Sequence, residues 1–215
     1  MFYNQPPTII NKRLIIFTRY PEPGITKTRM IPALGAVGAA KLQRQMTEHT
    51  LAQAQLLQSI DDVSIEVRFA GGDKQLMQAW LGNDIECIAQ GEGDLGQKMA
   101  NSLISAFQNQ TKLVVIIGSD CPELTPALIL KAFQHLHLGS DLVLGSAIDG
   151  GYYLIGLSRF IPELFAGISW GSAQVFSQTV AVAQSLNLTT AYLPPLADVD
   201  RPEDLPIWEQ IQKEC

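Results

Sequence analysis

Leu14-Ile-Ile-Phe-Thr-Arg-Tyr-Pro-Glu-Pro-Gly-Ile-Thr-Lys-Thr-Arg29 is a short apolar run that continues into a polar loop. The run is rich in β-branched and aromatic residues and is too short for a helix, which predicts a buried strand over Leu14–Thr18. Pro21, Pro23 and Gly24 then redirect the backbone, as is typical of a loop. We therefore expect a buried strand that ends in a loop, the first unit of an α/β sheet.

Further apolar runs of similar length alternate along the chain with segments of helical spacing. The later predicted strands are Ile65–Phe69, Ile85–Ile88, Leu113–Gly118, Leu142–Gly145 and Tyr153–Gly156. In one predicted helix the apolar residues Leu42, Met46, Ala54 and Leu57 fall on one side. Further helices are predicted near Leu76–Leu81, Leu95–Phe107, Pro126–Leu136 and Ala173–Leu186. This alternation predicts a mostly parallel sheet with helices on both faces. In such sheets the ligand site forms at the carboxyl ends of the strands, near a switch in strand order.

Length and charge limit the classes of function. The chain has 215 residues, which favours a single domain over residues 1–215. Its net charge of −6 argues against a nucleic-acid partner, because such a partner needs a strongly basic face. Met1–Lys12 has no basic region that leads into a long apolar run, so we expect no membrane span and a cytoplasmic location. Any anionic ligand must then be bound by a local basic cluster.

The loop after the first strand contains such a cluster. Arg19, Lys27 and Arg29 could bind a diphosphate, since arginine matches phosphate oxygens in bidentate geometry and lysine adds a compact charge. Alternatively, these side chains are solvated or paired with a carboxylate such as Glu22. The loop lacks the Gly-x-x-x-x-Gly-Lys-Ser/Thr pattern, which argues against P-loop chemistry.

Carboxylates follow one predicted strand and precede the last helix. Asp120 would lie at the sheet edge, where Mg²⁺ or Mn²⁺ could use it together with substrate phosphates, although it could equally cap the next helix. Asp198 and Asp200 would point the same way in an extended segment and could bind a metal together. For Asp200 we expect instead a cap on the helix that begins at Pro202.

The segment Asp149-Gly-Gly-Tyr152 places two glycines beside a carboxylate and an aromatic ring. Glycines permit a ligand to approach the backbone closely, and the ring could flank a sugar or a base. A type I′ hairpin turn is the competing interpretation, because Asp-Gly and Gly-Gly are frequent in such turns.

The cysteines and two of the histidines do not indicate a metal centre. Cys87, Cys121 and Cys215 are widely spaced and lack neighbouring ligands at zinc-site spacing, which predicts reduced, structural thiols. His135 and His137 are two residues apart, so on a helix they cannot share one metal face.

A set of motifs occurs in order along nearly the whole chain. These are Phe17-Thr-Arg-Tyr-Pro-Glu-Pro-Gly24, Lys27-Thr-Arg29, Gly93-Asp-Leu-Gly96, Gly118-Ser-Asp-Cys-Pro122, Asp149-Gly-Gly-Tyr152 and Asp198-Val-Asp200 with Pro202-Glu-Asp-Leu205. Together they resemble the DUF2064 group of bacterial glycosyltransferase-like proteins. The resemblance implies a compact, Rossmann-like nucleotide-diphospho-sugar transferase fold of the GT-A type.

The resemblance also implies a function. The expected enzyme is a metal-dependent glycosyltransferase that transfers a sugar from a nucleotide-diphosphate donor to a small-molecule acceptor. Asp120 takes the place of the metal-binding aspartate of an Asp-x-Asp motif, whose first aspartate is replaced here by Gly118. The expected roles are nucleotide or diphosphate binding by Arg19, Lys27, Arg29, Asp94 and Ser119, substrate binding by Gly150, Gly151 and Tyr152, metal binding by Asp120 and Asp198, and catalysis by Asp149 or Asp198.

The opening of the chain is also similar to that of 2-phospholactate guanylyltransferases and, more distantly, of molybdenum-cofactor guanylyltransferases. This implies an alternative enzyme, a guanylyltransferase-like nucleotidyltransferase that acts on a phosphorylated small molecule, uses a nucleoside triphosphate and releases pyrophosphate. The Asp149-Gly-Gly-Tyr152 segment departs from the guanylyltransferase pattern, so sugar transfer is the favoured function. A nucleotide-binding protein without catalysis is the alternative from another class.

Overall fold

The computed structural model describes residues 12–214, which form a seven-stranded sheet in the order β3-β2-β1-β4-β6-β5-β7. The strands are β1 Lys12–Arg19, β2 Ser64–Ala70, β3 Glu86–Ala89, β4 Leu113–Gly118, β5 Leu142–Ala147, β6 Tyr152–Leu157 and β7 Thr190–Leu196. The helices are α1 Ile31–Gln58, α2 Lys74–Leu81, α3 Leu95–Gln108, α4 Pro126–His137, α5 Val175–Ser185 and α6 Leu205–Glu214. Short 3-10 turns cover Thr28–Met30, Pro162–Phe165 and Pro202–Asp204.

The central strands are buried on both faces, as their apolar sequences predict. Leu14, Ile15 and Ile16 of β1 are fully buried, and β1 is parallel to both β2 and β4. Because β2 and β3 lie on one side of β1 and the later strands on the other, the strand order switches between β1 and β4. The predicted α/β fold class is confirmed, and the switch point lies where a ligand site is expected.

Helices cover both faces of this sheet. Leu57 of α1 and Phe133 of α4 pack in the cluster on one face, and Leu103 of α3 packs in the cluster on the other. The predicted apolar side of α1 is buried, but it has two partners. Its later half packs on the sheet, whereas Met46 packs against Trp208 of α6.

β5 and β6 form an antiparallel hairpin around Asp149-Gly-Gly. The Ala147 carbonyl oxygen accepts a hydrogen bond from Gly150 N at 3.2 Å. Gly150 has a positive φ of 93°, but Ile148 and Asp149 do not have positive φ. A type I′ turn needs positive φ at both central residues. The segment thus forms a hairpin, as one of the two interpretations predicts, but the turn is not of type I′; the approach of a ligand to its glycines stays a prediction.

The seventh strand, β7, was not predicted because it contains Pro194 and Pro195. Proline cannot donate to a strand ladder and is tolerated chiefly at sheet edges. β7 is an edge strand whose partner is β5, so its open side needs no donors. On the paired side, the register shifts between the Gly145–Leu193 and Ala147–Leu196 pairs, which leaves Pro194 and Pro195 outside the regular ladder.

Across residues 12–214, no helix has the length and apolar character needed to cross a bilayer. The cytoplasmic location stays a prediction. Residues 1–11 and Cys215, on which part of the sequence-based reasoning rested, lie outside the described residues.

Candidate functional site

A cavity of about 450 Å³ opens at the carboxyl ends of β1 and β4. The loop after β1 contributes Arg19, Lys27 and Arg29 to its wall. The end of β4 contributes Ser119 and Asp120. The fold thus brings the predicted phosphate-binding loop and the predicted metal-binding carboxylate to one cavity at the switch in strand order.

Lys27 connects three segments of this site. Its side chain is 3% exposed, and its Nζ donates to Asp120 Oδ1 at 2.8 Å and to the Val199 carbonyl oxygen at 2.7 Å. Its backbone is left-handed, with φ 45° and ψ 48°, a conformation that costs free energy in residues other than glycine and that clusters at functional sites. One N–H of the ammonium group is left to meet a ligand.

The two arginines of the loop differ in their partners. Arg29 pairs with the Asp200 carboxylate, and its side chain is 63% exposed. Arg19 is also exposed and forms no ion pair within residues 12–214. The alternative of pairing with a carboxylate applies to Lys27 and Arg29, but their partners are Asp120 and Asp200 of the cavity itself and not Glu22. The basic loop is therefore partly neutralised from within the site, and Arg19 is left for an anion.

The capping role predicted for Asp200 is wrong. Its carboxylate binds Arg29, while Asp204 Oδ2 accepts hydrogen bonds from the backbone N–H groups of Asp200 and Arg201 at 3.0 and 2.7 Å. Asp204 thus caps this turn, and Asp200 is released to line the cavity.

Asp120 does not cap a helix either. The next helix, α4, begins at Pro126 and is capped by Thr125. The Asp120 side chain is 51% exposed, and Lys27 binds only its Oδ1, so Oδ2 remains available to a ligand. The Asp120 carbonyl oxygen accepts a hydrogen bond from Val199 N at 2.8 Å, which holds the segment with Asp198 beside the end of β4.

Asp198 and Asp149 add two more negative charges to this part of the molecule. Burial raises the pKa of the Asp198 carboxyl above its ordinary value, and the charge of Asp149 raises that pKa further. Burial also raises the pKa of the Cys121 thiol, to which the charges of Asp120, Asp198 and Asp149 add. Burial and these three negative charges therefore favour the protonated form of Cys121.

The side chains of this site suit a metal ion only if the substrate supplies some of its ligands. Within residues 12–214 no group of three or more His, Cys, Asp or Glu side chains could hold a metal ion. Asp120 and Asp198 supply carboxylate oxygens, the ligand type that Mg²⁺ and Mn²⁺ prefer. Because Mg²⁺ is commonly bound by one or two carboxylates plus substrate phosphates, these residues suit a divalent ion whose remaining ligands come from the substrate.

A buried polar network forms the floor of the cavity. The hydroxyls of Thr18 and Thr47 are 2.7 Å apart, and Gln43 Nε2, with its two N–H donors, lies 3.2 to 3.3 Å from the hydroxyl oxygens of Thr18, Thr47 and Ser119. Thr18 and Gln43 were not predicted as site residues from the sequence. The signal was the polar series Gln43, Thr47 and Thr50, which recurs at helical spacing on a buried face of α1. Ser119 belongs to this floor, and its predicted contact with a nucleotide stays a prediction.

Asp94 does not line this cavity. It caps α3, since its Oδ1 accepts from Gln97 N at 2.8 Å while Gln97 Oε1 accepts from Asp94 N at 3.0 Å. This reciprocal capping box accounts for the Asp94 and Gln97 side chains without a ligand.

The predicted substrate-binding residues Gly150, Gly151 and Tyr152 also lie outside the cavity. β5 runs parallel to β4, with β6 between them, so their hairpin turn lies at the same sheet edge about 10 Å from Asp120. The Tyr152 ring packs edge-on against Trp170 at 6.4 Å between centroids, and burial raises the pKa of its hydroxyl. Its ring is part of the core, and its role towards a substrate stays a prediction.

The chain is similar to several solved structures. A candidate nucleotide-diphospho-sugar transferase from Desulfovibrio desulfuricans G20 is 34% identical, with a TM-score of 0.87 over 94% of this chain and 88% of that one. CMP:2-keto-3-deoxy-manno-octonic acid synthetase complexed with CTP matches at 12% identity, a TM-score of 0.60 and coverage of 94% and 99%. Rv0371C from Mycobacterium tuberculosis H37Rv complexed with manganese matches at 13% identity and a TM-score of 0.54, over 95% of this chain and 100% of that one. The last two matches show the fold alone.

These matches and the cavity place the chain among the transferases that share the nucleotide-diphospho-sugar transferase fold. The family model described as "Uncharacterized protein conserved in bacteria (DUF2064)" matches residues 50–172. The chain belongs to the DUF2064 family, as its motifs predict. Among curated proteins, none matches the sequence.

Proposed function

We propose that this chain is a metal-dependent glycosyltransferase, a single domain over residues 1–215 that transfers a sugar from a nucleotide-diphosphate donor to a small-molecule acceptor. One observation carries the proposal. The cavity at the ends of β1 and β4 joins Arg19, Lys27 and Arg29 to the half-exposed carboxylate of Asp120. Cations next to a half-exposed carboxylate suit a diphosphate that is bound together with a divalent metal ion.

In this proposal the three cations share the diphosphate. Arg19 is free of ion pairs within the described residues and supplies a bidentate donor fork. Arg29 is exposed and exchanges Asp200 for a phosphate oxygen. Lys27 is buried and fixed by Asp120 and Val199, so its remaining N–H group is directed by the fold. Fixed donors need no reorganisation when charge develops on the leaving oxygen.

The carboxylates have separate roles in the proposal. Asp120 and Asp198 would hold Mg²⁺ or Mn²⁺, whose chemistry here is to neutralise charge on the diphosphate leaving group. Asp149 is the first candidate to accept the proton of the acceptor hydroxyl, with Asp198 second. Asp149 is held in place because its Oδ1 accepts a hydrogen bond from Gly151 N at 2.8 Å.

The comparisons support the coarser part of the proposal. The D. desulfuricans protein is a candidate nucleotide-diphospho-sugar transferase. Elsewhere in this fold, one synthetase is complexed with CTP and Rv0371C is complexed with manganese. Nucleotides and a divalent metal are therefore ligands that proteins of this fold bind.

A nucleotidyltransferase is the second candidate. The segment that favoured sugar transfer, Asp149-Gly-Gly-Tyr152, forms a hairpin turn outside the cavity, which weakens its value for telling the two reactions apart. The product separates them, because sugar transfer releases a nucleoside diphosphate whereas nucleotidyl transfer releases pyrophosphate.

The test is turnover with Mn²⁺ and panels of nucleotide sugars and nucleoside triphosphates, each with sugar, alcohol and phosphorylated small-molecule acceptors, followed by chromatography of the released nucleotide or pyrophosphate. We expect release of nucleoside diphosphate from one nucleotide sugar. Asp120→Asn should lower the rate by about 10²–10³-fold. Glu48→Gln removes a carboxylate of similar exposure, 47%, that pairs with Arg44 on the surface of α1, and it should leave the rate unchanged.

Other outcomes would redirect the assignment. Release of pyrophosphate would establish the nucleotidyltransferase alternative. Nucleotide binding without turnover over the whole panel would favour the non-catalytic alternative. An Asp120→Asn variant with full activity would refute the role of Asp120.

A further inference from the structure

The side chain of Gln43 extends from α1 to the floor of the cavity. Its Nε2 lies 3.2 Å from the hydroxyl oxygen of Thr18 at the end of β1, and 3.3 Å from that of Ser119, which directly precedes Asp120. The residue is 4% exposed and borders the cavity. Its amide is therefore located between the ends of the two strands that lead into the basic loop and to the Asp120 carboxylate.

One atom of this amide is open to the cavity and has no partner. Within residues 12–214, no donor binds Gln43 Oε1, and the buried side-chain nitrogen and oxygen atoms that lack a partner are limited to Arg13 Nε. Oε1 is therefore not enclosed, and the space open to it is the cavity that Gln43 borders. The cations of this cavity suit an anion, but an anion and Oε1 repel each other because both are acceptors.

In this orientation of the amide, the floor of the cavity has one proton too many. Gln43 has two N–H groups for three neighbouring hydroxyl oxygens, those of Thr18, Thr47 and Ser119. The hydroxyls are close to each other in two pairs, Thr18 with Thr47 at 2.7 Å and Ser119 with Thr18 at 3.3 Å. These two pairs use two hydroxyl protons, so the third hydroxyl proton has no acceptor within the floor.

Turning the amide over, so that its nitrogen and oxygen exchange places, removes this mismatch. The exchange does not change the shape of the side chain. Oε1 then accepts from the hydroxyls of Thr47 and Ser119, while the Thr18 hydroxyl donates to that of Thr47. Every hydroxyl proton has an acceptor, and the N–H groups of Gln43 are the atoms that face the cavity.

Gln90 is a second amide at the cavity, and it cannot turn in this way. Its Nε2 donates to the main-chain carbonyl oxygens of Thr18 and Arg68, both at 3.1 Å. Carbonyl groups only accept hydrogen bonds, whereas hydroxyl groups both donate and accept them. The hydroxyl partners of Gln43 therefore allow both orientations of its amide, and the carbonyl partners of Gln90 allow one.

We propose that the Gln43 amide turns over when the diphosphate enters the cavity and donates an N–H group to a phosphate oxygen. The proposal rests on the proposed function and deepens it, since it adds a neutral donor from α1 to the cations of the basic loop. In the empty cavity Arg19, which has no ion pair within residues 12–214, favours the amide oxygen on the cavity side. A phosphate group reverses this preference, because it is negatively charged and only accepts hydrogen bonds.

The direct test is NMR of the Gln43 side-chain amide in isotope-labelled protein, titrated with inorganic pyrophosphate in EDTA and again with Mg²⁺. The side-chain N–H signals of Gln43 are assigned by their loss in Gln43→Met. We expect pyrophosphate to move these signals and to slow the exchange of their protons with water. The Gln90 side-chain signals should move less, because that amide keeps its two carbonyl partners.

Calorimetry under the same conditions measures the effect on the Kd for pyrophosphate. Gln43→Met keeps a similar volume but has no N–H group, and it should raise this Kd about 10- to 100-fold, the effect of losing one hydrogen bond to a charged group. Gln55→Met, at an exposed position on α1, is the matched control and should leave the Kd unchanged. If Gln43→Met is unfolded, Gln43→Glu takes its place, because its carboxylate still accepts from the hydroxyls but offers no N–H group to the phosphate.

The remaining outcomes separate this proposal from the proposed function. If pyrophosphate binds to the wild type without moving the Gln43 signals, the amide does not turn, and a raised Kd in the variants then reports only a structural role of the floor. An unchanged Kd in the Gln43 variants also overturns the proposal, and both of these results leave the proposed function standing. Failure of the wild type to bind pyrophosphate or any nucleotide sugar overturns both.

Discussion

Replacing Lys27 by Met should destabilise the protein, because the ammonium group connects three segments that are distant in sequence. Lys27 is 3% exposed in its side chain and donates to Asp120 and to the Val199 carbonyl oxygen. The substitution keeps an unbranched side chain of similar length. It removes both hydrogen bonds and the charge.

The size of the effect follows from the exposure of each partner. The Val199 carbonyl takes part in a buried hydrogen bond, and leaving such a group unsatisfied costs about 1–3 kcal/mol. The Asp120 side chain is 51% exposed, so water replaces the ammonium there, and the lost pairing is worth about 0.2–1 kcal/mol. The substitution also removes the free-energy cost of burying the charged ammonium group, which offsets part of this loss. We expect a net destabilisation of about 2 kcal/mol, which corresponds to a Tm lower by about 4–8 °C.

Urea unfolding gives the free energy of unfolding, and the m-value should not change. Lys41→Met, at an exposed position of α1, is the control and should lie within about 0.5 kcal/mol of the wild type. Hydrogen exchange provides a local measurement, since the Val199 amide that bonds to the Asp120 carbonyl oxygen should exchange faster in the Lys27 variant. Wild-type stability together with unchanged exchange at Val199 would refute this account of Lys27.

Two further predictions concern the arginine of the basic loop and the hairpin turn. Arg29→Gln should change the free energy of unfolding by less than about 1 kcal/mol, because the pair of Arg29 with Asp200 is solvent-accessible. It should nevertheless raise the Kd for pyrophosphate, measured by calorimetry, about tenfold. An unchanged Kd would show that Arg29 does not bind the diphosphate. Gly150→Ala should lower the free energy of unfolding by about 2–4 kcal/mol, since φ is +93° and the new Cβ would lie 2.2 Å from the Ala173 carbonyl oxygen. Gly118→Ala, where a Cβ meets nothing within 4 Å, is its control, and equal stability of the two variants would contradict this explanation.

The strands and helices of the fold were largely predictable because their signals are local. The β1 run is buried on both faces, and such runs are recognisable without knowledge of their neighbours. β7 was missed because Pro194 and Pro195 contradict a strand locally, and only its position at the sheet edge makes them acceptable. The hairpin at Asp149-Gly-Gly was left open between two interpretations, because the same residues serve a tight turn and a ligand.

The sequence by itself determined the α/β class, the DUF2064 family and the residue types of the site, namely the cations of the loop after β1 and the carboxylate after β4. The tertiary structure alone decided their partners. Lys27 binds the carbonyl oxygen of a residue 172 positions away, Asp200 binds Arg29 instead of capping a turn, and Gln90 is fixed by carbonyls of two neighbouring strands. Sequence patterns report the local preference of each segment, whereas hydrogen bonds and ion pairs depend on distances that exist only after the sheet has brought the strand ends together.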